Sequence, residues 1–214
     1  MSSRVMKMFL SACTAAALLS CADVPSTGPG TPEVVSEFRF VHAAPELGSV
    51  SVSVDGAAQG DLAFSNSLAY KQFPAGSREV ALSNGEKQFV AMSTDLRGTI
   101  ALLPSAAGTR EFFRISERRI FDTPNVAVRV LNLIPNLNVD VRVIAGADTA
   151  ASATLAYKGD TGYRLATARD YIVEVKQAGS NTVLATAPLS VNTSHTALIL
   201  GNASAVTIKG LSDN

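Results

Sequence analysis

The sequence predicts an all-β chain of two tandem sandwich-like repeats behind an export signal and a short tether. Three observations predict it. Beyond residue 36 the chain breaks into short runs of alternating apolar and polar residues closed by turn dipeptides, with no long helical period. The pattern occurs twice, about 90 residues apart. The first twenty residues carry a basic start and an apolar stretch too short to cross a bilayer.

The N-terminal segment comes first. Arg4 and Lys7 precede the apolar stretch from Met8 to Leu19, and Leu18-Leu19-Ser20-Cys21 follows. Basic residues, a short apolar run and a small residue before the cut form a signal peptide. The tetrapeptide resembles a bacterial lipobox. In that motif a small residue lets the signal peptidase reach the bond, and the Cys thiol accepts a diacylglyceryl group. Cleavage before Cys21 is therefore expected, with Cys21 as the lipidation site. Two or three acyl chains suffice for stable anchoring. Cys13 would leave with the signal, so no thiol pair remains for a disulfide. Ala22, with Asp23 one place later, points by analogy with sorting rules to the outer membrane, periplasmic or surface-facing. Residues 21–36 then read as a Pro/Gly/Ser/Thr tether, and Gly28-Pro29-Gly30 belongs to it rather than to a phosphate loop.

The body is apolar enough to form a core, at 47% hydrophobic and 17% charged residues. Lys+Arg and Asp+Glu are both 18, so no charge excess argues for nucleic acid. Trp is absent and aromatics are 6%, which weakens a stacking platform for bases or sugars. Strands are predicted over Phe38–Val41, Val50–Val54, Arg78–Leu82, Gln88–Met92 and Thr99–Leu103, with hairpin turns at Asp55-Gly56 and Asn84-Gly85. This is the signature of a sandwich or a barrel.

The repeat aligns Arg39 with Arg129, Pro45 with Pro135, Leu47 with Leu137 and Gly56 with Gly146. Tyr70 aligns with Tyr163, and Thr99–Leu103 is echoed by Thr196–Leu200. A looser echo joins Phe112–Ile115 to Val206–Lys209. The expected repeats are 37–118 and 125–214, each of a size to fold as a small independent sandwich. The motifs at Val41–Pro45, Val50–Gly56, Leu62–Phe64 and Phe73–Gly76 resemble the domain of unknown function 4397 family of bacterial extracytoplasmic proteins. That resemblance implies an Ig-like or transthyretin-like antiparallel β-sandwich and carries no established activity. The second repeat departs from it, with Asn132 in place of the motif His and no Pro-Ala-Gly turn at residues 166–169.

Chemistry-bearing residues are few. His42 is expected to cap a turn or pack, because Asn132 can make similar turn bonds but not histidine chemistry. His195 has no second ligand spaced to it, so no metal or cofactor is expected. Asp55, Asp61 and Asp95 do not have calcium-loop spacing. No Gly-x-Ser-x-Gly or Ser/His/Asp set occurs, so no catalytic residue is assigned. Residues 114–119, with Arg114, Arg118 and Arg119, are expected to be a solvated strand edge at the inter-repeat joint. Tyr70 and Tyr163 are expected to pack within their copies, and the sequons at Asn192 and Asn202 carry no weight. The expected role is a non-catalytic structural or interaction module facing an envelope protein or glycan. The second reading is a small-ligand or carbohydrate binder, which a pocket at Tyr70 and Tyr163 would favour.

Overall fold

The structure is a computed structural model and describes residues 34–93, 97–104, 110–117 and 125–213. Cys21, the signal, the tether, Asp95, Arg118 and Arg119 lie outside the described residues.

Sixteen strands are described. The first copy contains β1 (Val35–His42), β2 (Val50–Val54), β3 (Ala57–Leu62), β4 (Lys71–Pro74), β5 (Gly76–Leu82), β6 (Lys87–Met92), β7 (Arg97–Leu102) and β8 (Phe112–Glu117). The second contains β9 (Asn125–Asn132), β10 (Val139–Ala145), β11 (Asp148–Leu155), β12 (Arg164–Thr167), β13 (Arg169–Gln177), β14 (Val183–Val191), β15 (His195–Asn202) and β16 (Ala205–Ser212). Each copy is a sandwich of two four-stranded sheets. In the first the orders are β4-β1-β7-β8 and β3-β2-β5-β6; in the second, β12-β9-β15-β16 and β11-β10-β13-β14. The identical order confirms the repeat. Pairing is antiparallel except for β1 with β7 and β9 with β15, which are parallel in register Arg39↔Thr99 and Arg129↔Thr196.

Local sequence explains the elements. Val50, Val52 and Val54 point inward while Ser51 and Ser53 point out, as a half-buried strand requires. Asp55 and Gly56 both take positive φ, 48° and 81°, the geometry of the two-residue turn that joins β2 to β3. The Pro74-Ala75-Gly76 bend carries the chain from one sheet to the other. The second copy makes the same passage with Thr167-Ala168-Arg169, so the bend does not depend on that tripeptide.

Three apolar cores result. Phe38, Phe40, Val52, Val80, Ile100 and their neighbours fill the first sandwich. Val128, Val130, Val141, Val173, Ile199 and their neighbours fill the second. A third joins Val41, Ala43, Ala101, Leu103 and Ile115 of the first copy to Leu131, Leu133, Leu198, Leu200 and Leu211 of the second. The sheets containing β1 and β9 are thus apolar on both faces, one toward their own sandwich and one toward the other copy. Each copy keeps its own sandwich, and residues 34–214 group as one compact unit. Phe64 and Tyr157, at equivalent places after β3 and β11, also pack on this middle core.

Leu198 is fully buried in the middle core. Leu198→Ala is expected to cost about 2–5 kcal/mol. Urea unfolding should stay a single transition, because the layer it weakens belongs to both copies; two separated transitions would refute the shared layer.

Candidate functional site: a duplicated buried polar cluster

The middle layer is not wholly apolar. Strand alternation places Phe38 and Phe40 in the sandwich, so Arg39 must point the other way, toward the second copy. Arg129 does the same from β9. Both guanidiniums are buried, at 5% and 6% exposure. Charges taken out of water must be answered by hydrogen bonds and opposite charge.

They are answered by the same set twice. Arg39 Nε donates to Thr99 Oγ1 at 2.7 Å, the Thr99 hydroxyl donates to Glu117 Oε1, and the Tyr70 hydroxyl donates to Glu117 Oε2. In the second copy Arg129 Nε donates to Thr196 Oγ1 at 3.3 Å, Thr196 donates to Asp213 Oδ2 at 2.7 Å, and Tyr163 donates to the same oxygen at 3.0 Å. Each arginine also lies over the ring of its own tyrosine, Arg39 at 4.5 Å from the centroid and Arg129 at 4.3 Å. Arg97 adds a second guanidinium 3.5 Å from the Tyr70 centroid.

Cross-bonds tie the two sets together. Arg39 Nη1 donates to Ser212 O at 2.6 Å and Arg129 Nη1 donates to Ser116 O at 2.8 Å, a reciprocal pair. Arg39 Nη2 bridges Glu117 at 3.0 Å and Asp213 at 2.9 Å, one carboxylate from each copy. Arg97 Nη1 donates to Asp213 O at 3.0 Å. Burial pushes the Glu117 carboxyl up from its ordinary value, against the pull of Arg39. Burial, with the charge of Glu117, pushes the Tyr70 phenol far up, so it remains a donor.

Several sequence expectations are corrected here. Glu117 is not on a solvated strand edge: it is 7% exposed and central to the cluster. Arg114 of the same run is half-buried and bonds Ala91 O and Ser93 Oγ. The echo of Phe112–Ile115 is Ile208–Leu211 rather than Val206–Lys209, because Thr99 faces Ile115 in the ladder and Thr196 faces Leu211. That shift of two is what aligns Glu117 with Asp213. Tyr70 and Tyr163 recur in packing positions, and they also serve as hydroxyl donors between acid and arginine.

His42 behaves as a turn residue. It is fully buried, its Nδ1 accepts from Ala44 N at 3.2 Å, and its Nε2 lies 2.8 Å from Gly48 O. Asn132 does the same work, accepting from Ile134 N at 3.1 Å and donating to Leu137 O at 2.7 Å. Phe64 meets the His42 ring edge-on. Asp55 accepts from Glu79 N and pairs with Arg78, and Asp61 accepts from Ser51. His195 opens β15, with Nδ1 2.9 Å from Thr193 O. Asn202 closes a turn by accepting from Ser204 N and Ala205 N. Among the described residues no cluster of three or more His, Cys, Asp or Glu is placed to hold a metal ion, and no helix is long and apolar enough to cross a membrane.

An open cleft of ≈ 420 Å³ lies beside the cluster, lined by Arg39, Tyr70 and Ser67 on one side and by Lys209 and Ser212 on the other.

No protein-family model matches the chain, and no curated protein matches it by sequence. Among solved structures it is similar to a family 26 carbohydrate-binding module from Eubacterium rectale Amy13K, solved with maltoheptaose. Identity is 8% and the TM-score 0.33, over 82% of this chain and 97% of that one. It is also similar to the Bacillus anthracis TIE protein, at 9% identity and a TM-score of 0.27, over 79% of this chain and 34% of that one.

Arg39→Ala strands two buried carboxylates and is expected to cost about 3–5 kcal/mol in urea unfolding. Arg78→Ala, at a partly exposed pair with Asp55, is expected to stay within about 1 kcal/mol. Burial holds the His42 imidazole below its ordinary value of about 6.5. Below that pH the unfolded chain binds a proton the folded chain refuses, so stability falls as the pH drops from about 6.5 toward the lowered folded value. His42→Asn should keep the fold, since Asn132 makes the equivalent turn. The loss on acidification should shrink relative to wild type, and identical pH profiles would contradict this.

Proposed function

We propose that the protein is a lipid-anchored, extracytoplasmic module of a bacterial cell envelope with a non-catalytic structural or interaction role. The observation that carries this reading is Leu18-Leu19-Ser20-Cys21 behind a basic start and a short apolar run. The acyl groups on Cys21 hold the chain at the membrane, the outer one by the analogy drawn from Ala22, and residues 22–36 set its reach.

The folded body supports a presenting role. Side chains with most chemical potential are already engaged. His42 and Asp55 serve turns, while Glu117, Asp213 and both arginines answer each other. A body whose two copies share a core offers its outer sheets and end loops at fixed spacing, which suits contact with an envelope protein or glycan. The resemblance to the domain of unknown function 4397 family agrees with an extracytoplasmic address. A second reading, a binder of a small ligand or carbohydrate, is supported by the cleft beside Tyr70, whose lining takes in Tyr70 but not Tyr163.

Cells expressing wild type and Cys21→Ser are to be fractionated and treated with protease while intact. Wild type is expected in the membrane fraction and Cys21→Ser in the soluble fraction or unprocessed. Identical behaviour of the two would remove the lipid anchor. Shaving of wild type marks a surface-facing module and protection a periplasmic one.

A further inference from the structure

The cleft beside the cluster has a chemistry of its own. Lys209 shares a face of β16 with Leu211 of the middle core, and it lines the cleft together with residues 67–70 of the first copy. Among the described residues its ammonium has neither a hydrogen-bond nor an ion-pair partner, although the residue is half-buried. The Ser67 hydroxyl across the cleft is half-buried and likewise unpartnered. No acidic side chain lines the cleft. The nearest carboxylates, Glu117 and Asp213, are committed to Arg39, Thr99, Thr196 and the two tyrosines. Arg39 also lines the cleft, with its charge already paired to those two carboxylates.

The repeat supplies an internal comparison. The position equivalent to Lys209 in the first copy is Phe113, because Ile115 and Leu211 occupy the same place in their ladders. The position equivalent to Ser67 in the second copy is Asp160, since Val41 bridges Ser67 as Leu131 bridges Asp160. The cleft thus presents an ammonium and a hydroxyl where the equivalent positions of the repeat carry an aromatic ring and a carboxylate, with Lys158 lying over the Phe113 ring at 5.3 Å. The scaffold is duplicated, but the free ammonium and the hydroxyl occur on one side.

We propose that the cleft between β16 and residues 67–70 binds a small anionic ligand, with its carboxylate or phosphate on the Lys209 ammonium and a hydroxyl group on Ser67. A cleft of ≈ 420 Å³ has the size of a small-molecule site. Leu68, Ala69 and Leu211 offer the apolar wall along which such a ligand lies. The assignment rests on the second reading above and names its ligand class; it is independent of the lipid anchor.

The test is isothermal titration of the full chain, purified in detergent at low salt, with inorganic phosphate, glucuronate and glucose. At least one of the two anions is expected to bind at least tenfold more tightly than glucose. Preference for phosphate or for glucuronate tells the two anion sources apart. Lys209→Met keeps the length of the stem, removes the charge and should weaken the anion about tenfold while the urea midpoint stays in place. Anion affinity unchanged in Lys209→Met overturns the assignment. Glucose bound as tightly as the anions, with no effect of Lys209→Met, overturns it as well but leaves the cleft a ligand site. Absence of binding by all three at about 10 mM removes both.

Discussion

Arg39 is the constraint on which the arrangement turns. Its guanidinium is buried between two sandwiches and must be answered there, and the answers come from both copies: Glu117 from one, Asp213 and Ser212 O from the other. Sliding the copies by one strand position would carry Asp213 and Ser212 O out of reach and leave buried charges unpaired, a cost of several kcal/mol. The apolar part of the layer, centred on Leu131, Leu198 and Leu200, is non-directional and would tolerate other alignments. Association is thus driven by the leucines, and its register is set by the arginine sets. Asp213, one residue beyond β16, is fully buried in this role, so the residues that follow β16 belong to the joint.

Much of the fold was legible in the sequence. Val50 to Val54 and the Asp55-Gly56 turn fell where alternation and turn chemistry put them, because one face of β2 is core and the other is water. The repeat was legible too, through Arg39 and Arg129 and through the paired tyrosines. The shared layer was not. Alternation in Phe38-Arg39-Phe40 reads as apolar-in and polar-out, and sequence alone does not say that the outward face meets a second sandwich. The continuous run from Thr99 to Leu103 held the signal, since a strand apolar on both faces is a strand covered on both faces. The same blind spot made Glu117 look like part of a solvated charged edge, when it lies on the covered face of its own sheet, paired there with Arg39.

Duplication has kept the framework and released the details. His42 and Asn132 differ in type yet bond the same backbone groups, and Glu117 and Asp213 differ by a methylene yet close equivalent circuits. Outside the circuits the copies differ, with Lys209 where the repeat has Phe113 and Ser67 where it has Asp160. A fold that spends its repeated residues on the joint leaves its rims for recognition, which supports the presenting role proposed above.

Native-state hydrogen exchange of the amides of β1 and β15 tests the shared layer most directly. If the arginine sets and the middle core make one body, amides of β1 in the first copy and β15 in the second exchange with the same free energy of opening. Both should then shift together when Arg39 is replaced. Exchange of β1 through an opening that leaves β15 protected, with a response to Arg39 confined to the first copy, would contradict the account.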